Sequence, residues 1–79
     1  MRAIIECIED AYGVWGAGKR YEVILTWDSS SRLLHTVDNS MFARFWNYPK
    51  DGNGYYQHDY GVGDLLEGTG VRFKILHLM

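Results

Sequence analysis

The chain has 79 residues, which is enough for one small domain over residues 1–79 and too few for a separate catalytic domain. Its residues are 47% apolar and 23% charged, a mixture typical of globular proteins rather than of disordered chains. The net charge is −2 and the eight Lys and Arg residues are scattered, which argues against nucleic-acid binding through a basic surface.

Residues 3–8 predict the first strand, because β-branched isoleucines surround Cys7 there. Three glycines in residues 11–18 then indicate a connection rich in turns. Trp15 lies in this connection, and we expect its large apolar ring to fold back over one end of the core. We expect Cys7 to be buried and inert.

Residues 20–27 predict the second strand and show the clearest alternation in the chain. Tyr21 and Val23 occupy the face that we expect to lie in the core. The polar residues 28–31 form a predicted turn, and the alternating residues 32–37 form the third strand. A turn this short makes the two strands an antiparallel hairpin.

A second turn and a fourth strand follow. Residues 38–40, Asp-Asn-Ser, predict a turn in which a side chain bonds the backbone, and residues 41–46 predict the strand. Sequential strands joined by tight turns form a meander, which favours an all-β fold over a βαβ fold.

The last third of the chain begins with a long excursion. Residues 47–70 hold six of the nine glycines and four of the six tyrosines. Within them, residues 64–67 predict one turn of helix that Asp64 begins and Gly68 ends. Residues 71–78 alternate again and predict the final strand.

Together these elements predict a small, five-stranded, partly open barrel with one long loop rich in tyrosine and glycine. Closing a short sheet on itself protects its edges, which a lone sheet of this size would leave exposed. An SH3-like barrel is the first choice, since no long helix lies between the strands, and an OB-like barrel is the alternative.

Four features of the first half of the chain form a pattern: Cys7 inside a short strand, Tyr12 in the following loop, the run Gly-Lys-x-Tyr-Glu-Val at residues 18–23, and Val-Asp-Asn at residues 37–39. This pattern resembles small SH3-like barrel proteins of bacteriophages and bacteria. The resemblance implies that fold and a phage or prophage origin. Past residue 46 the sequence departs from the pattern.

Cysteine content and hydropathy favour a cytoplasmic location. A single cysteine can form neither an intramolecular disulfide nor a cysteine-based zinc cluster. Apolar runs are far shorter than the roughly 20 residues of a membrane-spanning helix, and the N-terminus lacks the apolar core of a signal peptide. We expect a monomer or small homo-oligomer without a membrane partner.

Residues 13–19 match the G-x-x-x-x-G-K part of a phosphate-binding P-loop. The next position should be Ser or Thr to hold magnesium, and here it is Arg20. Strand-like alternation follows where a P-loop has a long helix. We therefore interpret this run as a glycine-rich turn with a solvated Lys19 and predict no nucleotide cofactor.

No catalytic or metal site is predicted. The spacing of His35, His58 and His77 matches no zinc motif. An enzyme could use His58 and Asp59 as an acid–base pair, or Cys7 with a histidine as a nucleophile pair. The apolar surroundings of Cys7 favour burial instead, so we expect a non-enzymatic protein.

The stretch most typical of a binding surface is residues 55–60, Tyr-Tyr-Gln-His-Asp-Tyr, which glycines flank. Tyrosines supply stiff, amphipathic contact area, and glycines let the backbone bend to a partner. In the alternative interpretation, two of the tyrosines fill the end of the barrel. The predicted partner-binding residues are Tyr55, Tyr56, His58, Asp59 and Tyr60, with Arg44, Trp46 and Tyr48 extending the same surface.

Two classes of function follow. In the first, a small phage-type protein docks through its aromatic loop on a host protein, such as a defence or replication enzyme, and inhibits it. In the second, the protein binds a small ligand, a nucleotide or single-stranded nucleic acid, with aromatic rings stacked on bases and scattered Lys and Arg on phosphates. The acidic charge favours the first.

Overall fold

A computed structural model describes residues 1–27, 32–46, 53 and 60–79. These residues form six strands, namely β1 (Arg2–Asp10), β2 (Arg20–Trp27), β3 (Arg32–Thr36), β4 (Phe42–Arg44), β5 (Leu65–Gly68) and β6 (Val71–Leu78). Within these ranges there is no helix, and so none that could cross a membrane.

All six strands belong to one antiparallel sheet with the order β4-β3-β2-β1-β6-β5. The two ends of this sheet approach each other, because Trp46, just beyond β4, donates its backbone N–H to the carbonyl oxygen of Glu67 in β5 at 3.0 Å. The sheet therefore nearly closes into a barrel, which covers edges that would otherwise be exposed.

The all-β prediction is confirmed, and the nearly closed sheet is consistent with a small barrel of the SH3 or OB type. The structure gives β2 and β6 the predicted bounds, and β2 and β3 pair as an antiparallel hairpin. The bounds of β1, β3 and β4 differ from the predicted ones by one or two residues. The predicted turn at residues 28–31 lies outside the described residues.

The predicted helical turn at residues 64–67 is wrong, because β5 occupies residues 65–68 and pairs with β6. Leu66 is fully buried, opposite Phe73 in the register. A strand pairs the backbone groups of this buried segment with β6, whereas one isolated helical turn would leave most of them without partners. Within the described ranges the barrel consequently has six strands rather than the predicted five.

The core lies on the inner face of the sheet. In β2, Val23 and Leu25 are buried as the alternation predicts, and Tyr21 is half-buried and packs against the core cluster. Trp15 folds back from the loop after β1 and meets the rings of Tyr21 and Phe73 edge to face, at centroid distances of 5.0 Å. The predicted covering role of Trp15 is confirmed.

The turn between β3 and β4 has the predicted side-chain bonding. The carboxylate of Asp38 accepts hydrogen bonds from the hydroxyl of Thr36 at 2.6 Å and from the hydroxyl and backbone N–H of Ser40 at 2.7 and 3.0 Å. Asn39 takes the left-handed conformation that asparagine tolerates, with φ of 61°. These bonds, the one from Thr36 first, lower the pKa of Asp38 to about 2.

Candidate functional site

A groove of about 450 Å³ lies between the loop that joins β1 to β2 and the outward face of β4. Its loop side presents Tyr12 and Val14, and its strand side presents Phe42, Arg44 and Trp46. We call these five residues and the space between them the aromatic groove. It gathers four of the exposed large hydrophobic side chains of the described chain.

The strand side of the aromatic groove follows from alternation along β4. Ala43 and Phe45 point into the core and are 9% and 4% exposed. The residues between and beside them therefore point outward, and Phe42 is 71% and Trp46 56% exposed. With Arg44 between them, the outward face presents an aromatic ring, a cation and an aromatic ring in sequence.

The loop side depends on Asp10, the last residue of β1, whose carboxylate accepts four backbone hydrogen bonds. The donors are the N–H groups of Tyr12 at 3.0 Å, Gly13 at 3.0 Å, Trp15 at 2.5 Å and Gly16 at 2.9 Å. Successive N–H groups that converge in this way form a nest for an anion. This bonding fixes a loop in which Trp15 enters the core while its neighbour Val14 stays 64% exposed.

The same bonds distinguish the loop at residues 13–19 structurally from a phosphate-binding P-loop. The N–H groups that would hold a phosphate already hold the carboxylate of Asp10, and the loop joins two strands. Hydrogen bonds to its charged form, that from Gly16 first, keep the pKa of Asp10 below its ordinary value against the opposing effect of partial burial. The interpretation of this run as a glycine-rich turn with an exposed Lys19 is confirmed.

The turn between β5 and β6 supports the loop from the other side. Ala11 donates its backbone N–H to the carbonyl oxygen of Gly70 at 2.8 Å. A Cβ at Gly70 would lie 2.6 Å from Cε2 of Tyr12, so the Tyr12 ring rests directly on this glycine. Gly70 also has φ of 71°, a conformation that strains other residues. The loop side of the aromatic groove is therefore held in place both by the carboxylate of Asp10 and by the turn at Gly70.

Arg44 differs from three other described arginines in having no acidic side chain beside it among the described residues. Arg2, Arg20 and Arg72 each lie beside glutamates, with Arg2 and Glu22 2.6 Å apart. No acidic side chain within the described ranges pairs with Arg44, which is exposed in the middle of the groove. The groove thus combines apolar rings with one exposed cation.

The predicted site residues have three outcomes. Arg44 and Trp46 are exposed and lie together in the aromatic groove. Tyr60 is 4% exposed and packs edge to face on Phe45 at 5.5 Å, so its ring belongs to the core and offers little contact surface. Five predicted residues lie outside the described residues: Tyr48, Tyr55, Tyr56, His58 and Asp59.

Three groove residues were not among the predicted ones, namely Tyr12, Val14 and Phe42. The sequence holds a signal for Phe42, since it alternates with Arg44 and Trp46. The opposite face of residues 42–46 also carries an aromatic ring, Phe45, so alternation alone does not say which face is outside. No comparable signal marks the loop residues.

Two of the groups considered for catalysis or metal binding, Cys7 and His35, do not line the groove. Cys7 is fully buried, and burial first and the charge of Asp10 second raise the pKa of its thiol. His35 lies in β3 with Nδ1 3.0 Å from the carbonyl oxygen of Thr36. In the part of the chain that the structure describes, no cluster of three His, Cys, Asp or Glu side chains could hold a metal ion.

Comparison of the chain with protein-family models, with curated proteins and with solved structures finds no match.

Proposed function

We propose that this protein is a small, non-enzymatic binding module, phage or prophage encoded, that docks on a host protein and inhibits or modulates it. The observation that supports this function best is the aromatic groove, where Tyr12, Phe42 and Trp46 are more than half exposed around Arg44. Tyr, Trp, Phe and Arg are the side chains enriched at protein interfaces. The phage or prophage origin rests on the sequence resemblance, and the choice of a protein partner rests on the aromatic side chains and the acidic net charge.

Binding of nucleic acid has less support. Rings that stack on bases are present, but phosphates also require neighbouring cations. Arg44 is the one basic side chain among the described residues that line the groove. The net charge of −2 also argues against nucleic-acid binding. An oligonucleotide that bound at low salt and was released steeply as salt rose would support this second function.

The tyrosine-rich stretch stays part of the proposal. In the sequence, residues 47–59 connect Trp46, which lines the groove, to the buried Tyr60. Tyr55 and Tyr56 are therefore tested together with the groove residues, each as a change to alanine. A loss of partner with an unchanged melting temperature would assign them to the contact surface, and unfolding of both variants would assign them to the core.

The direct test is affinity capture from a bacterial host lysate with wild-type protein, Phe42→Ala and Trp46→Ala as baits. Interface hot spots cost at least about 2 kcal/mol when truncated, so we expect each variant to bind the captured protein about 30-fold more weakly. Their stability should change by less than about 0.5 kcal/mol, because both side chains are exposed.

The matched control is Val62→Ala, since Val62 is 63% exposed and does not line the groove. This variant should capture the same protein as the wild type with unchanged affinity. If Phe42→Ala and Trp46→Ala also bound like the wild type, the proposed docking surface would be wrong.

A further inference from the structure

We propose that the aromatic groove binds an extended peptide segment of the partner in which a carboxylate side chain lies between apolar side chains. This inference rests on the proposed function and names the chemistry of the partner at the same site. It follows from the shape of the groove, from the arrangement of its charges and from the bonding of Asp10.

The shape favours an extended segment. Phe42, Arg44 and Trp46 are spaced two residues apart, and at about 3.3 Å per residue their row is about 13 Å long. Tyr12 and Val14 form the opposite side, also two residues apart. A segment of about five extended residues fits this length and places alternate side chains against the two aromatic ends and the central arginine.

The charge of the groove favours a carboxylate at the centre of that segment. Arg44 has no acidic partner in the described ranges, whereas Arg2, Arg20 and Arg72 have glutamates. A guanidinium binds a carboxylate through two parallel, charge-assisted hydrogen bonds. These bonds are stronger than the ones that a guanidinium forms with a neutral amide. The rings on either side of Arg44 exclude water when a ligand is bound, which strengthens this interaction.

The bonding of Asp10 argues against a basic segment. Asp10 is the acidic side chain among the described residues lining the groove, and its oxygens already accept four backbone N–H groups. A lysine or arginine of a partner would have to compete with those bonds. The carboxylate of the groove is thus used internally, while its cation, Arg44, is exposed.

The test is selection of random linear peptides displayed on phage, performed on immobilised full-length protein. Wild type is compared with Arg44→Glu and with the control Lys19→Glu, which makes the same charge change at an exposed residue that does not line the groove. We expect wild type and the control to enrich Asp or Glu between apolar residues. Arg44→Glu should lose these peptides and enrich Lys- or Arg-containing ones.

A selected peptide is then synthesised in two forms, with the central Asp or Glu and with the matching amide. Titration should show at least 10-fold weaker binding of the amide form to the wild type and equal binding of both forms to Arg44→Gln. Equal affinity of both peptide forms for the wild type would overturn the inference. In the selection, enrichment of basic or uncharged peptides by the wild type, or no enrichment of any peptide, would also overturn it.

The failure of this inference is distinguishable from failure of the proposed function. Peptides that bind the groove without regard to charge would overturn the carboxylate preference and leave a protein-binding groove in place. Self-association in sedimentation that Trp46→Ala abolishes would show that a second copy occupies the groove, and it would also overturn the inference. The proposed function itself fails when Phe42→Ala and Trp46→Ala leave partner capture unchanged.

Discussion

At the scale of single residues, Asp10 organises the loop side of the site. Its carboxylate holds four N–H groups of the loop, and this loop positions Tyr12 and Val14 on one side of the aromatic groove. The residue types alone indicate burial of Cys7 and Trp15, because large apolar rings and a thiol among isoleucines leave water readily. The local sequence does not predict that Asp10 accepts the loop N–H groups, because this bonding depends on the backbone conformation of the residues that follow it.

Asp10→Asn tests this role through acid stability. A carboxyl whose pKa is lower in the folded chain than its unfolded value of about 3.9 stabilises the fold above that pH, and the stabilisation is lost as the pH falls through the folded value. Asparagine keeps one acceptor and turns an amide donor toward the N–H groups. We expect a lower melting temperature at pH 7 and a smaller fall in melting temperature between pH 4 and pH 2, both followed by circular dichroism.

The neighbouring change Glu9→Gln is the control, because Glu9 is exposed and accepts none of the loop N–H bonds. Asp38 also has a lowered pKa, about 2, so it contributes acid dependence that Asp10→Asn leaves in place. A melting temperature for Asp10→Asn equal to that of the wild type at both pH 7 and pH 2 would contradict the assigned role.

At the scale of elements, alternation predicts the strands that have one buried face. It gives the bounds of β2 and β6 because their side chains alternate over eight residues each. It misses β5 because Leu65 and Leu66 are adjacent, the strand has four residues, and flanking Asp and Gly imitate helix caps. The pairing of β5 with β6 is a tertiary preference that local sequence does not show.

Gly68 in β5 allows the two ends of the sheet to meet. A Cβ there would collide with the carbonyl oxygen of Arg44 and lie 3.1 Å from Cγ1 of Val71. Because the collision is with backbone, Gly68→Ala must move β4 away from β5. We expect a loss of about 1–3 kcal/mol in the free energy of unfolding, measured by urea denaturation.

Gly61→Ala provides the comparison, since the nearest atom to a Cβ at Gly61 is Oδ2 of Asp64 at 3.8 Å, an ordinary contact. That variant should unfold within about 0.5 kcal/mol of the wild type. If Gly68→Ala proved as stable as Gly61→Ala, the ends of the sheet would not be in the close contact described here.

At the scale of the whole molecule, near closure of the barrel creates the aromatic groove. The strand side comes from β4, at one end of the sheet order, and the loop side from the connection between β1 and β2, about thirty residues earlier in the chain. The bond from Trp46 to Glu67 and the bond from Ala11 to Gly70 bring both sides to the β5–β6 hairpin. Arg44 and Trp46 were predicted as site residues from the sequence, but their position opposite Tyr12 depends on the near closure of the sheet.

Because the groove is the proposed docking surface, the most direct measurement is the change in backbone amide NMR shifts of the labelled protein when the captured host protein is added. We predict that the largest changes and line broadening occur at Tyr12, at Val14 and at residues 42–46, while Val62 and Lys74 keep their positions. Changes concentrated at Val62, Lys74 and the outward face of β6, with residues 12–14 and 42–46 unaffected, would contradict docking through the aromatic groove.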